Sequence, residues 1–158
     1  MGQEIERKFL VNGDAWRSLG KATRYRQGYL STVKERTLRV RTVADKAYLT
    51  IKGISQGITR VEFEYEIPGE DAEALLEGLC ERPLIEKDRY KIPHGGHIWE
   101  VDEFFGDNDG LIMAEVEVES ADQVVEKPEW VGKEVSDDPR YFNANLITNP
   151  YRNWGRKA

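Results

Sequence analysis

The chain has 158 residues, of which 33% are charged, and carries a formal net charge of −6. This length predicts a single domain over residues 1–158 with a core of its own. The acidic balance argues against general nucleic-acid binding, and no apolar run is long enough to predict a membrane span. No secretory signal is visible and the single Cys80 cannot form an internal disulfide, so we expect a cytoplasmic protein.

Most segments alternate polar and apolar residues with a period of two, which is typical of half-buried strands. In chain order the predicted strands are residues 4–11, 25–31, 37–43, 46–52, 59–67, 84–92, 97–104 and 111–118. Capping residues and helical spacing of apolar residues predict helices at 14–19, 70–81 and about 139–147. Tight turns between the strands favour an α+β, mainly β fold, an eight-stranded antiparallel sheet that closes into a barrel.

Charged residues occupy every second position on several of these strands, and the sign of the charge is sorted by strand. A solvated outer face explains any single strand. The sorting across strands instead favours a charged lumen, because buried charges must be paired or bind ions. The opposite, apolar face would then be covered by helices outside the barrel. The alternating acids are Glu4, Glu6, Glu62, Glu64, Glu115 and Glu117, and the bases are Lys8, Arg39, Arg41, Lys52, Arg60, Lys87 and Arg89.

The two sets of charges indicate what such a lumen would bind. Clustered carboxylates are hard oxygen ligands that suit Mg²⁺ or Mn²⁺, and the set lacks the His and Cys ligands that would indicate zinc. Clustered Lys and Arg side chains suit phosphate oxygens, and Arg can bind two of them at once. Together they fit a polyanionic phosphate chain with divalent metal, the arrangement that phosphoryl transfer requires.

The order of the charged motifs resembles one known family. Glu4-x-Glu6-x-Lys8 near the N-terminus is similar to the signature of the CYTH family, the triphosphate tunnel metalloenzymes. The motifs that follow in the family's order are Gln27-Gly28-Tyr29-Leu30, Leu38-Arg39-Val40-Arg41, Leu49-Thr50-Ile51-Lys52-Gly53, Arg60-x-Glu62-x-Glu64, Lys87-x-Arg89, Ala114-Glu115-Val116-Glu117 and Tyr141-x-Asn143-x-x-Leu146. The resemblance therefore covers nearly the whole chain.

The resemblance implies an eight-stranded antiparallel tunnel with a charged lumen and flanking helices, which binds triphosphates with Mg²⁺ or Mn²⁺. It implies that Lys87 is a general base or only a phosphate ligand, and that Glu62 and Glu64 complete a second metal site or position water. The implied metal ligands are Glu4, Glu6, Glu115 and Glu117, and the implied phosphate ligands are Lys8, Arg39, Arg41, Lys52, Arg60, Lys87 and Arg89.

The compact bacterial members that the chain resembles are largely inorganic tripolyphosphatases. The expected reaction is therefore metal-dependent hydrolysis of tripolyphosphate to pyrophosphate and phosphate. The sequence leaves open a nucleoside or thiamine triphosphatase, a class IV-type adenylate cyclase, and a polyphosphate or nucleotide sensor without turnover. We expect a small-molecule triphosphate as partner, no nucleic acid and no membrane, and the resemblance allows a homodimer.

Overall fold

Nine antiparallel strands form a single sheet in the computed structural model, which describes residues 2–154. The strands are β1 (Gly2–Val11), β2 (Ala22–Ser31), β3 (Arg36–Val43), β4 (Lys46–Gly53), β5 (Thr59–Ile67), β6 (Ile85–His94), β7 (His97–Phe104), β8 (Ile112–Glu117) and β9 (Val131–Glu134). The α-helices are α1 (Gly69–Gly78) and α2 (Asn145–Thr148), and single 3₁₀ turns lie at Ala15–Ser18, Gly106–Asn108, Pro139–Tyr141 and Tyr151–Asn153. None of the helices within residues 2–154 has the length and apolarity to cross a bilayer.

The sheet closes into a barrel through β1. Its strand order is β5-β4-β3-β2-β6-β7-β8-β1-β9, and β1 also pairs with β5. Residues 2–5 of β1 pair with 59–62 of β5, and residues 6–10 pair with 113–117 of β8. The predicted eight-stranded closed barrel is therefore confirmed. The ninth strand, β9, was not predicted, because its four residues pair only with the end of β1 and carry no alternating apolar run.

One cluster of the apolar core shares the inner face of the barrel with the charges, since Phe104 lies opposite Lys87 and Met113 lies opposite Asp102. It packs with Tyr141 and Leu146 of the C-terminal segment.

A second cluster of the apolar core lies outside the barrel, against its outer face. Phe9 of β1 is fully buried there beside Trp16, Trp99 and Trp130. The Phe9 and Trp99 rings lie 5.4 Å apart, and the Trp99 and Trp130 rings pack edge to face at 6.2 Å. Such aromatic pairs stabilise a core beyond the area that they bury. The alternation in β1 thus places apolar side chains in this outer core and charged side chains in the lumen.

The expectation of flanking helices is correct at α1 and wrong elsewhere. Ala72 and Leu76 of α1 pack on Val40 of β3 and Ala47 of β4. The helix predicted at 14–19 is a single 3₁₀ turn. The helix predicted at about 139–147 divides into the turn Pro139–Tyr141 and the four-residue α2. Between them Phe142 is extended, with φ −75° and ψ 129°, and residues 142–144 line the barrel cavity instead of continuing a helix.

The outer face of most of β5 and of the end of β4 near Ile51 is not covered, which contradicts the expectation that helices cover the whole apolar face. Ile51, Val61, Phe63 and Tyr65 are between 38% and 57% exposed. The cause is the course of the chain after β5. Helix α1 begins directly after Pro68 and turns back over β3 and β4, and Ile67, the last residue of β5, packs against the same cluster.

Candidate active site

A cavity of about 300 Å³ occupies the barrel lumen, and every charged residue singled out by the alternation lines it. Each of the strands β1, β3, β4, β5, β6 and β8 contributes at least one of them. The residues concerned are Glu4, Glu6, Lys8, Arg39, Arg41, Lys52, Arg60, Glu62, Glu64, Lys87, Arg89, Glu115 and Glu117. The alternating charges therefore point inward, into a space shared by acids and bases.

Strand register brings these distant residues together. Glu6 lies opposite Glu117, and Lys8 lies opposite Glu115, across β1 and β8. Directly opposed residues of neighbouring strands share a face, so their side chains interact across the ladder. Glu100 of β7 also lies opposite Glu115 and lines the cavity, although it was not predicted as a site residue. Glu100 and Asp102 alternate with the same period of two, which places both on the charged face of β7.

One side of the cavity is crowded with carboxylates. Burial raises the pKa of Glu6, and the charges of Glu115 and Glu4 raise it further. Burial likewise raises the pKa of Glu100 and of Glu117, with nearby carboxylates adding to the effect. These groups are harder to ionise than ordinary carboxyls because each is buried to some extent and also faces others of the same charge. A cation placed among them would relieve that repulsion.

Two lysines partly neutralise this carboxylate cluster. The Nζ of Lys8 is ion-paired with Glu115 and lies 3.4 Å from Glu6 Oε1. Burial opposes the charge on Lys8, but Glu115 and Glu6 outweigh it and raise the pKa of the ammonium. Lys52 donates to Glu4 at 2.8 Å and lies 3.9 Å from Glu62. Lysine charges therefore stand within reach of most of the predicted metal ligands.

The predicted metal ligands fit a hard divalent cation by their chemistry. They offer only oxygen donors, and burial and neighbouring carboxylates raise the pKa of Glu6 and Glu117. Within residues 2–154, no three acidic, His or Cys side chains converge closely enough to enclose an ion as they stand. Lys8 pairs with Glu115 and Lys52 pairs with Glu4, so lysine ammonium groups lie among the carboxylates that would bind the ion.

The opposite side of the cavity is crowded with cations. Burial, together with the charges of the neighbouring Arg39 and Arg89, lowers the pKa of Arg41 to about 9. Arg39 is only 8% exposed, and its buried Nε has no hydrogen-bond partner within residues 2–154. A buried donor without a partner is costly, and clustered guanidinium groups repel one another. Both costs are relieved by an anion with several oxygens.

Lys87 is the most buried base of the site. Its side chain is 1% exposed, and its Nζ lies 2.7 Å from Asp102 Oδ2. Asp102 also accepts two hydrogen bonds of 2.8 Å from Arg89. Burial lowers the pKa of Lys87 to about 7, with Arg89 and Arg41 adding to the shift and Asp102 opposing it. The amine can therefore exist uncharged at neutral pH.

The C-terminal segment contributes residues to which sequence reasoning assigned no role. Phe142, Asn143 and Ala144 line the cavity, and Asn143 Oδ1 accepts a hydrogen bond of 3.0 Å from Lys87 Nζ. Ser136 also lines the cavity and accepts from the backbone N–H of Lys8 at 2.9 Å. No periodic signal marks these positions, because the chain there is irregular and reaches the lumen only through tertiary packing.

Comparisons with known proteins identify the family of this chain. A sequence model of the CYTH domain matches residues 2–151. An inorganic triphosphatase of Acetivibrio thermocellus is 55% identical over 98% of this chain and 99% of its own length. An inorganic triphosphatase of Nitrosomonas europaea is 38% identical over 90% of this chain and 95% of its own length.

A crystal structure of an inorganic triphosphatase shares the fold. It superposes with a TM-score of 0.63 at 35% identity, over 91% of this chain and 97% of the other. The motifs quoted from the sequence, the closed barrel and these alignments all span nearly the whole chain. This protein is a member of the CYTH domain family.

Proposed function

We propose that this protein hydrolyses inorganic triphosphate to pyrophosphate and phosphate, with Mg²⁺ or Mn²⁺ as cofactor. The observation that carries the proposal is the cation cluster in the lumen, where the buried Nε of Arg39 has no hydrogen-bond partner among the described residues, and where burial and like charges lower the pKa of Arg41. A polyanion satisfies both groups, and the carboxylates across the cavity suit a divalent metal. The two relatives named above as inorganic triphosphatases support the same substrate.

The arginines and lysines of the lumen bind the phosphate chain. Arg39 and Arg41 lie on β3 and Arg89 lies on β6, the two strands that flank β2, and all three present planar guanidinium groups that match phosphate oxygens. Lys8, Lys52 and Arg60 line the same cavity from β1, β4 and β5. Glu64 lies 3.6 Å from Arg39 and accepts from Thr50 Oγ1 at 2.9 Å, so it orients Arg39 towards the substrate.

Lys87 is the general base of the proposed reaction. Its uncharged amine takes a proton from the attacking water at Nζ, while the water oxygen bonds to the terminal phosphorus. The bridging P–O bond breaks, and the negative charge left on pyrophosphate is stabilised by the neighbouring guanidinium groups. A divalent ion held by Glu4, Glu6, Glu115 and Glu117 would supply further neutralisation of phosphate charge. Glu62 remains available to position the water.

Phosphate release from four substrates tests the proposed function. Tripolyphosphate, pyrophosphate, ATP and thiamine triphosphate are each incubated with Mg²⁺, with Mn²⁺ and with a chelator. We expect the fastest release from tripolyphosphate and none with the chelator. Failure to release phosphate from any of them would refute the hydrolase, and cyclic AMP formed from ATP would replace it with a cyclase.

Replacing Glu6 with alanine should lower metal-dependent turnover at least about 100-fold, the upper range for loss of a group that supports a metal site. The fold should survive, because the repulsion of Glu6 by Glu115 and Glu4 is relieved. Turnover and Mn²⁺ affinity, the latter by electron paramagnetic resonance, are both measured. Glu66→Ala, on the exposed end of β5, is the control and should retain both. Undiminished turnover and Mn²⁺ binding in Glu6→Ala would remove Glu6 from the metal site.

A further inference from the structure

A chain of hydrogen bonds links the substrate-binding arginines to the base through Asn143. Arg41 Nε donates to Gln27 Oε1 at 2.9 Å, and Gln27 Nε2 donates to Asn143 Oδ1 at 3.1 Å. Lys87 Nζ donates to the same Asn143 oxygen at 3.0 Å. Gln27 is fully buried, so its amide depends on these two partners for its hydrogen bonds.

The direction of every bond in this chain is fixed by Arg41. A guanidinium group only donates, so Gln27 must turn its carbonyl oxygen towards Arg41. The NH₂ of Gln27 then faces Asn143, so Asn143 must accept this hydrogen bond with its own carbonyl oxygen. Asn143 is therefore an acceptor towards Lys87, and the opposite amide orientation would leave two donors facing each other.

The two acceptors at Lys87 determine which way its lone pair points. An uncharged lysine amine has two N–H bonds and one lone pair. Asp102 and Asn143 can each accept one of the two N–H bonds, at 2.7 and 3.0 Å. The remaining tetrahedral position carries the lone pair, and Lys87 lines the cavity. With both acceptors in place, the lone pair of the amine points into the lumen, where it can accept a proton.

Asn143 provides this acceptor without adding charge. The charged groups that face Lys87 are Arg41 of β3, Arg89 of β6, Asp102 of β7 and Glu115 of β8. A carboxylate in place of the Asn143 amide would add a further negative charge about 3 Å from the amine and favour its protonated form. The neighbours of Asn143 in sequence anchor it, because Tyr141 and Leu146 are buried in one apolar cluster with Trp154.

We propose that Asn143 is the positioning residue for Lys87, holding the amine with its lone pair towards the substrate and leaving it free of a second carboxylate. The proposal rests on the proposed function, since only the hydrolytic reaction requires a base here. Asn143 acts through Lys87 and Gln27, in contrast to the charged residues of the lumen that would touch the phosphate chain.

Two variants and one matched control test this role. Asn143→Asp keeps the shape of the side chain and adds charge, whereas Asn143→Ala removes the acceptor. Asn145→Ala is the control, because Asn145 lies in the same segment but donates to the Pro139 carbonyl oxygen, at 2.8 Å, rather than to the site. The Lys87 amine is titrated by NMR in the metal-free protein, and kcat and KM for tripolyphosphate are measured across pH with Mg²⁺.

In Asn143→Asp we expect the Lys87 titration to move up by at least about one pH unit, with the acid limb of kcat following it. In Asn143→Ala we expect kcat to fall on the order of 10- to 100-fold with KM nearly unchanged, as for a misplaced catalytic group. Asn145→Ala should keep the wild-type titration and pH profile. An unshifted Lys87 titration in Asn143→Asp, or a wild-type kcat in Asn143→Ala, would overturn the proposal. If the wild-type protein hydrolyses none of the substrates, the proposed function is refuted. If the Lys87 titration still moves in Asn143→Asp in that case, the positioning of Lys87 by Asn143 remains supported.

Discussion

Replacing Lys87 with methionine should lower kcat for tripolyphosphate by about 10²- to 10⁴-fold, the usual contribution of a general base. Methionine fills nearly the same volume in the fully buried position but cannot accept a proton. Asp102 keeps both of its hydrogen bonds to Arg89, so the substitution does not leave that carboxylate unpaired. A large fall in kcat with a folded protein would therefore report on the chemistry at Nζ.

The pH profile separates a base from a phosphate ligand at this position. Because burial lowers the pKa of Lys87 to about 7, the uncharged amine forms as the pH rises through neutrality. Wild-type kcat should rise over that range, and the rise should be absent from Lys87→Met. If Lys87 only bound phosphate, its ammonium form would be the useful one, and activity would fall as the pH rose through 7.

Stability measurements complete the comparison. A lysine whose folded pKa is about 7 and whose unfolded pKa is the ordinary 10.5 destabilises the folded protein below pH 7, and that penalty fades as the pH rises towards 10.5. Lys87→Met should accordingly be no less stable than the wild type at neutral pH by urea unfolding. Lys91→Met, an exposed lysine on the same strand, is the control for both kcat and stability. Wild-type turnover in Lys87→Met would remove Lys87 from the chemistry.

The faces of the strands could be predicted from the sequence because strand side chains alternate with a fixed period of two. That period needs no knowledge of partners, so Glu4, Glu6 and Lys8 could be assigned to one face before any pairing was known. Assigning the charged face to the inside of the barrel depended on comparing the charges of several strands, since one charged face alone is equally consistent with exposure to solvent. The closed barrel could be predicted from the tight turns between successive strands.

The partners of each charge could not be predicted, because they depend on register and on tertiary packing. Nothing in the alternation distinguishes Asp102 from Glu100, yet Asp102 is saturated by Arg89 and Lys87 while Glu100 faces the cavity. The segment containing Asn143 was predicted to be a helix, because capping residues precede it, but the helix breaks where the chain meets the lumen. Local propensity was overridden there by contacts with strands more than fifty residues earlier, such as the 3.0 Å bond to Lys87.

Replacing Asp102 with asparagine should destabilise the protein by about 3–5 kcal/mol, the cost of removing one partner from a buried ion pair. Asp102 is 1% exposed and is the acceptor for both Arg89 and Lys87, and Arg41 lies in the same cation cluster. Asparagine offers one acceptor oxygen in place of two and no negative charge, so N–H groups of Arg89 or Lys87 lose their acceptor. Urea unfolding at neutral pH measures the loss.

The pH dependence of this loss identifies its cause as electrostatic. Burial opposes ionisation of Asp102, but Arg89 and Lys87 outweigh it, so its folded pKa lies below the ordinary value of 3.8. A carboxyl with a lowered folded pKa stabilises the protein above its unfolded pKa, and this stabilisation disappears as the pH falls through the folded pKa. The difference between wild type and Asp102→Asn should therefore be full above about pH 4 and shrink in stronger acid. Asp88→Asn, which breaks the exposed Arg24–Asp88 pair of 2.7 Å, is the control and should cost less than about 1 kcal/mol. Equal losses in the two variants would contradict the assignment of Asp102 as the counter-charge that holds the cation cluster together.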